Sequence, residues 1–305
     1  MASHGSKKII YAALLGNLAI AIIKYIASQI TNSSAMLSEA IHSLVDTVNQ
    51  ILLLHGMKKA EKPADSNHPF GYGKELYFWA FIVAILIFSL GSGISMYEGI
   101  HKIMEPQVVT DAYINYIVLG VAFAFEGVAW TMAFREFKRL NPDMGIWKAV
   151  HRSKDPTVFV VLFEDTAAML GIITAFVGLA AGEYFNMPIL DGLASVVIGV
   201  ILGLTAILLA VESKALLIGE SADPAERQTI RNILGNYSDI EHINELLTIH
   251  FGPADVLVTI SLDVKNSVST GAWEKQVSAI ERDIKSAIPK VQKIFIESQE
   301  KETSE

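Results

Sequence analysis

Ser38-Glu39-Ala40-Ile41-His42-Ser43-Leu44-Val45-Asp46-Thr47-Val48-Asn49-Gln50 is the stretch on which the fold turns. It lies inside an apolar segment covering 34–57. Steps of three, four and three put Glu39, His42, Asp46 and Asn49 on one helical stripe. Ile41, Leu44, Val45 and Val48 fill the other faces. In hydrocarbon, ionisable groups are costly unless they pair, meet water or bind an ion. A histidine and an aspartate four apart on one face can reach a single metal ion. They can also form a polar seam between packed helices, with His42 and Asp46 bonded to each other. The stripe alone leaves both readings open.

Working outward, composition places this stripe in a membrane. Of 305 residues, 51% are hydrophobic and 18% charged, and the mean hydropathy is +0.40. Runs almost free of charge recur, each long enough to cross about 30 Å of hydrocarbon. There is no cysteine, which excludes disulfides and thiolate metal sites. Any metal must be held by His, Asp, Glu or neutral oxygen. Residues 220–305 carry 15 acidic and nine basic residues, out of a net charge of −8 for the chain. That acidic balance argues against a nucleic-acid partner. The lead through Lys8 shows no cleavage site after a short apolar core, so the first apolar run is expected to be a retained anchor.

Hydropathy predicts six transmembrane helices at 9–30, 34–57, 77–100, 112–134, 157–181 and 189–211. Basic residues gather on alternate connections. They are Lys7 and Lys8, then Lys58, Lys59, Lys62 and Lys74, then Arg135, Lys138, Arg139, Lys148, Arg152 and Lys154. The other connections are almost without base. The positive-inside rule then puts both termini in the cytoplasm.

From Glu220 the pattern changes to a soluble one. Asp223-Pro224 opens a helix to about Leu234. Strands follow at 243–250 and 255–264, a helix at 273–287 and a last strand at 291–297. The expected fold is an α-helical membrane protein of six transmembrane helices (1–219) with a small cytoplasmic α+β domain of αββαβ order (220–305). Residues 298–305 are expected to fray.

Other ionisable residues add to the stripe. Glu164 and Asp165 sit in the first half of the fifth helix, where two adjacent acids are hard to neutralise without a cation. Glu126 is alone on the fourth helix and is either a packed neutral acid or part of a proton path. Asn17 reads first as an interhelical hydrogen-bonder. Asn17, Glu39, Asn49 and Glu126 make up the candidate gate or proton-path residues. In the connection after helix two, Asp65 and His68 are weak candidate ligands, and two without a third make a poor zinc site. His242 and His250 read as surface residues. No G-x-x-x-x-G-K-[ST] loop, G-x-S-x-G or H-E-x-x-H pattern is present.

The combination resembles the cation diffusion facilitator family, which includes the ZnT zinc transporters. The resemblance covers nearly the whole chain. It is carried by the stripe of residues 38–46, by Asn67-His68-Pro69-Phe70-Gly71-Tyr72-Gly73-Lys74, by the acid in helix five and by the α+β tail. Asn49-Gln50 and Glu164-Asp165 suggest the branch containing the mitochondrial zinc exporter and its bacterial relatives. The resemblance implies a homodimeric antiporter in the lipid bilayer, sited in a bacterial inner membrane, that moves zinc or a similar divalent ion out of the cytoplasm against protons. It implies no enzyme activity and no resident cofactor, the metal being cargo.

It also implies a site of four ligands, two on helix two and two on helix five. His42, Asp46 and Asp165 match, while the remaining position falls on Val161, which cannot ligate. The fourth donor is expected from Glu164, at nearly the same depth as Asp165, with Glu39 a gate residue one turn outward. The loop site of some members has Tyr72 in place of a histidine. The tail cluster of others falls on Asn244, Ser261 and Glu297, so the tail is expected to dimerise without a binuclear zinc site. Manganese, iron or cobalt export is the alternative with the same mechanism. An intramembrane metalloenzyme and a non-transporting scaffold are rivals of other classes.

Overall fold

The structure, a computed structural model, describes residues 4–140, 142 and 144–300, with side chains from Leu14 onward. Lys7, Lys8 and most of the expected frayed tail therefore lie outside the described side chains. The long helices are α1 (His4–Thr31), α2 (Ser34–Ala60), α3 (Lys74–Leu86), α4 (Gly93–Met104), α5 (Ala112–Leu140), α7 (Pro156–Phe185) and α8 (Ile189–Ile218). A π-helical turn, Ile87–Ser92, joins α3 to α4 in one continuous span. A short helix α6 (Ile146–Arg152) lies in the basic connection before α7.

Five spans among the described residues are long and apolar enough to cross a membrane: Leu14–Thr31, Lys74–Met104, Ala112–Leu140, Pro156–Phe185 and Ile189–Ile218. Helix α2 is not one of them, although it is 27 residues long and belongs to the same helical unit. Its buried face explains this, because that face carries Ser38, Glu39, His42, Ser43, Thr47 and Asn49. Apolarity marks five spans, and the sixth helix is set apart by the polar stripe.

Local signals fix the helix ends. Asp155 caps α7, its side chain accepting from Thr157 N at 3.0 Å with Pro156 in the first turn. Asn186 ends α7 in the left-handed region at φ 52°, which asparagine tolerates. Asp191 of α8 reaches the start of α2 and accepts from Ser33 Oγ, Ser34 N and Ser34 Oγ at 2.6, 2.6 and 3.0 Å. This satisfies donors that a helix N-terminus leaves open. At Gly99 and Gly192, α4 and α8 approach so closely that a Cβ on either would meet the other's carbonyl oxygen at 2.7 or 2.9 Å. In the π turn, Ser92 Oγ donates to Gly199 O at 2.7 Å.

The chain divides into two compact units. One comprises residues 1–57 and 78–213, and the other joins 58–77 to 214–305. In the second, α9 (Pro224–Leu234), β1 (Ile240–Gly252), β2 (Asp255–Val264), α10 (Thr270–Ala287) and β3 (Val291–Ser298) form a three-stranded sheet of order β1-β2-β3. β1 and β2 are antiparallel; β2 and β3 are parallel, with α10 as the crossover. Alternation along β2 buries Val256, Val258, Ile260 and Leu262 against Ile230 and Leu234 of α9 and Ile280 and Ile284 of α10. β1 is longer than its sequence signal. His250, already inside the expected strand, is buried with its Nδ1 3.1 Å from Gly252 O, correcting the surface assignment. His242 is exposed as expected.

The loop after α2 belongs to this second unit. Phe70 stacks on Phe251 with centroids 4.9 Å apart and planes 9° from parallel. Lys293 sits over the Phe70 ring and donates to Pro69 O at 2.5 Å.

Candidate metal site in the helical unit

Helix α2 delivers its stripe to the interior as its spacing requires. Glu39, His42 and Asn49 are buried, and Asp46 is 13% exposed. His42 Nδ1 stands 3.5 Å from Asp46 Oδ1, without hydrogen-bond geometry. Both ring nitrogens of His42 and Oδ1 of Asp46 are buried with no hydrogen-bond partner. Such atoms forfeit the water they would otherwise bind and gain nothing in exchange. The packing-seam reading needed His42 and Asp46 to satisfy each other, and they do not.

Two cross-links flank this pair. On one side Asn49 Nδ2 donates to Glu164 Oε1 of α7 at 2.8 Å. On the other, Glu39 faces Gly171 of α7 so closely that a Cβ there would lie 2.2 Å from Glu39 Oε1. Position 49 meets 164 while 39 meets 171, so α2 and α7 run antiparallel with His42 and Asp46 between the contacts. Asp46 lies within electrostatic reach of Glu164, Glu126, Asp165 and Lys24. Glu126 is buried on α5, Asp165 is half-buried on α7, and Asn17 is half-buried on α1.

The seam is spread out. Among the described residues, no three His, Asp or Glu side chains are drawn together at metal-holding separations. Two causes are visible. Asn49 holds Glu164, and Glu39 is held by a lysine of α1 that the sequence analysis did not single out. Lys24 Nζ pairs with Glu39 Oε2 at 2.9 Å and donates to Ser43 Oγ at 2.9 Å. The available signal was the one lysine within the apolar span Leu14–Thr31.

Elsewhere the sequence candidates are engaged differently. Asp65 accepts from Asn67 N at 2.9 Å, His68 N at 2.8 Å and Tyr72 OH at 2.7 Å. The Tyr72 hydroxyl first, then the backbone N–H of His68, hold its carboxyl below the ordinary carboxylate range. His68 lies against the Tyr72 ring, centroids 4.2 Å apart. In the tail, Asn244 Nδ2 donates to Gln299 O at 2.9 Å and to Ser261 Oγ at 3.5 Å, and Glu297 is exposed.

A helical unit with spans long and apolar enough to cross a membrane, followed by a small sheet domain, defines an integral membrane protein with an appended α+β domain. The particular family follows from comparison. The profile of the cation efflux transmembrane domain matches residues 10–218, and this chain belongs to that family, the cation diffusion facilitators, which are metal transporters and not enzymes. It is 32% identical over 275 residues to the human protein named proton-coupled zinc antiporter SLC30A9, mitochondrial, covering 89% of this chain and 48% of that one. It is 29% identical to metal tolerance protein C4 of Arabidopsis thaliana, over 85% of this chain and 57% of that one. It is 23% identical to the manganese efflux system protein MneP of Bacillus subtilis, over 93% and 91%. The chain spans about half the length of the SLC30A9 relatives it matches.

Proposed function

We propose that this chain is a secondary transporter that exports a divalent metal ion, zinc foremost, in exchange for protons by alternating access. The observation that carries the proposal is the set of buried, unpartnered atoms on α2, namely both ring nitrogens of His42 and Oδ1 of Asp46. Lone pairs left open in a desolvated site are what a cation needs. Glu164 and Asp165, on the antiparallel helix, complete the ligand set. Nitrogen and carboxylate donors suit zinc and also manganese, iron and cobalt. The relatives' names span that range, one a zinc antiporter and one a manganese efflux protein.

Proton exchange follows from the same donors. A protonated imidazole has no lone pair for metal, and carboxylates bind either a proton or the cation. Metal loading is therefore favoured on the less acidic side and release on the more acidic one. Residues 1–219 would form the transport domain, and residues 220–305 a cytoplasmic module joining two copies. The membrane would be a bacterial inner membrane with both termini in the cytoplasm. The test is flux into proteoliposomes of the full chain, loaded with a pH reporter and offered zinc, manganese, iron and cobalt in turn. Metal uptake accompanied by counter-movement of protons is expected. Absence of flux for every ion would overturn the reading, and uptake without proton movement would remove the antiport.

A further inference from the structure

We propose that Lys24 is a positioning residue for metal transport: its ammonium withholds Glu39 from the ligand set and places a resident positive charge beside the seam, so that the site binds metal loosely enough to release it. The inference rests on the metal site proposed above.

Lys24 is placed for this role. Its neighbours Ile22, Ile23, Tyr25 and Ile26 are each about half exposed, while Lys24 itself is 0% exposed. The lysine therefore points into the unit while the surrounding side chains point out of it. It does not take the usual course of a lysine near a membrane surface, which is to extend its head to water. Its two bonds reach Glu39 and Ser43, one turn apart on α2, with His42 between them in sequence. Its charge reaches both His42 and Asp46.

Glu39 is held in reserve by this arrangement. Its Oε2 is bound to Lys24, and its Oε1 is fully buried without a hydrogen-bond partner. That second oxygen points at α7 through a space that exists because residue 171 has no side chain. Gly171 lies seven positions after Glu164, on the same face of α7. Glu39 is thus an oxygen donor one turn from His42 that faces the same stripe of α7 as the proposed ligand. A buried ion pair is by itself weak evidence for stability, since desolvation offsets most of the attraction. Its effect on a neighbouring cation has no such offset, because in low dielectric a fixed positive charge repels a divalent ion and a freed carboxylate attracts it.

The two halves of the pair should therefore act with opposite sign, which a purely structural role would not produce. In calorimetry with zinc chloride on the solubilised full chain, Lys24→Met should tighten zinc binding about tenfold, the scale on which one nearby charge shifts a buried ionic equilibrium. The maximal uptake rate in proteoliposomes should fall by a similar factor. Glu39→Gln, close to isosteric, leaves the ammonium unneutralised and should weaken zinc binding about tenfold. The double variant Lys24→Met/Glu39→Gln should return affinity to within about threefold of the unmodified chain, since neighbours in one network do not act additively. If Lys24→Met fails to fold, Glu39→Gln carries the test alone. Unchanged zinc affinity in Glu39→Gln, or a change of the same sign in both single variants, overturns the proposal. So does a shift in melting temperature without a shift in zinc affinity. His42→Ala separates this proposal from the one beneath it. Lost binding in His42→Ala with no effect at 24 and 39 overturns the role of Lys24 alone. Undiminished binding in His42→Ala places the site elsewhere and removes both.

Discussion

Two histidine–aspartate couples, one in α2 and one in the loop that follows it, have opposite fates. In α2, His42 and Asp46 are four apart, buried, 3.5 Å from each other and short of hydrogen-bond partners. In the loop after α2, Asp65 and His68 are three apart, about half exposed, and 3.6 Å from each other. There Asp65 is engaged by two backbone N–H groups and a tyrosine hydroxyl. Residue type and spacing are nearly alike. What differs is whether the polar atoms have already found partners, and the proposed metal site rests on that difference.

The comparison breaks or holds most clearly at the aspartates. Asp46→Asn and His42→Ala should each reduce zinc flux in proteoliposomes more than about a hundredfold, beyond the range that loss of an outer partner causes. Asp65→Asn and His68→Ala should leave flux within about twofold, as surface changes do. Equal losses at positions 46 and 65 would mean that burial and unmet bonding do not mark the site.

Next in size is Asn49→Ala. Asn49 orients Glu164 through one hydrogen bond of 2.8 Å, the position of an outer partner. Its removal should weaken metal binding about tenfold while the protein keeps its helical content. An unchanged zinc titration would detach Glu164 from the ligand set.

How much of this could be read in the sequence follows from what each signal encodes. The stripe of residues 38–50 encodes relations within one helix, so Glu39, His42, Asp46 and Asn49 were found together. Cross-helix distances are not encoded in that way. Lys24 and Glu39 are 15 positions apart on successive helices, and a single lysine in an apolar span reads equally as one that reaches for the surface. The π turn at Ile87–Ser92 has no proline to announce it, and α6 is seven residues in a basic loop. The tail was more legible, because turn residues and alternation mark its strands directly. There β1 extends past its expected bounds, and His250, within those bounds, is buried where an isolated histidine reads as a surface residue. Hydropathy in the sequence counts α2 among six spans, whereas the stricter apolar measure is met by the other five, the polar face of α2 lowering its hydropathy.

Gly171→Ala tests the packing around the unpartnered couple. A Cβ would sit 2.2 Å from Glu39 Oε1, so the carboxylate must move. A cost of about 1–3 kcal/mol in stability is expected, read as a lower melting temperature of the solubilised protein. An unchanged temperature would mean that Glu39 swings aside freely. The loop's counterpart is Phe70→Ala. Loss of the stack on Phe251 should cost about 0.5–1.5 kcal/mol beyond the area lost and leave flux unaltered.

The smallest expected effect is the most specific to the loop couple. Tyr72 OH is the first cause of the low Asp65 carboxyl pKa, and Asp65 in turn raises the pKa of the Tyr72 phenol. A carboxyl depressed in the folded chain contributes stability that is present above its unfolded value, about 3.9, and is lost as pH falls through the folded value. Tyr72→Phe removes the principal cause, so the Asp65 carboxyl should rise toward the ordinary range. The difference in melting temperature between Tyr72→Phe and the unmodified chain should then be steady at neutral pH and shrink as the solution is acidified below about pH 4. Both side chains face solvent, so the difference should be small and should diminish with added salt. Zinc flux should not change, because Asp65 is already fully engaged by the turn. A loss of flux in Tyr72→Phe would show that the turn's hydrogen bonds serve the cation after all, and the contrast between the two couples would have to be drawn somewhere other than at bonding.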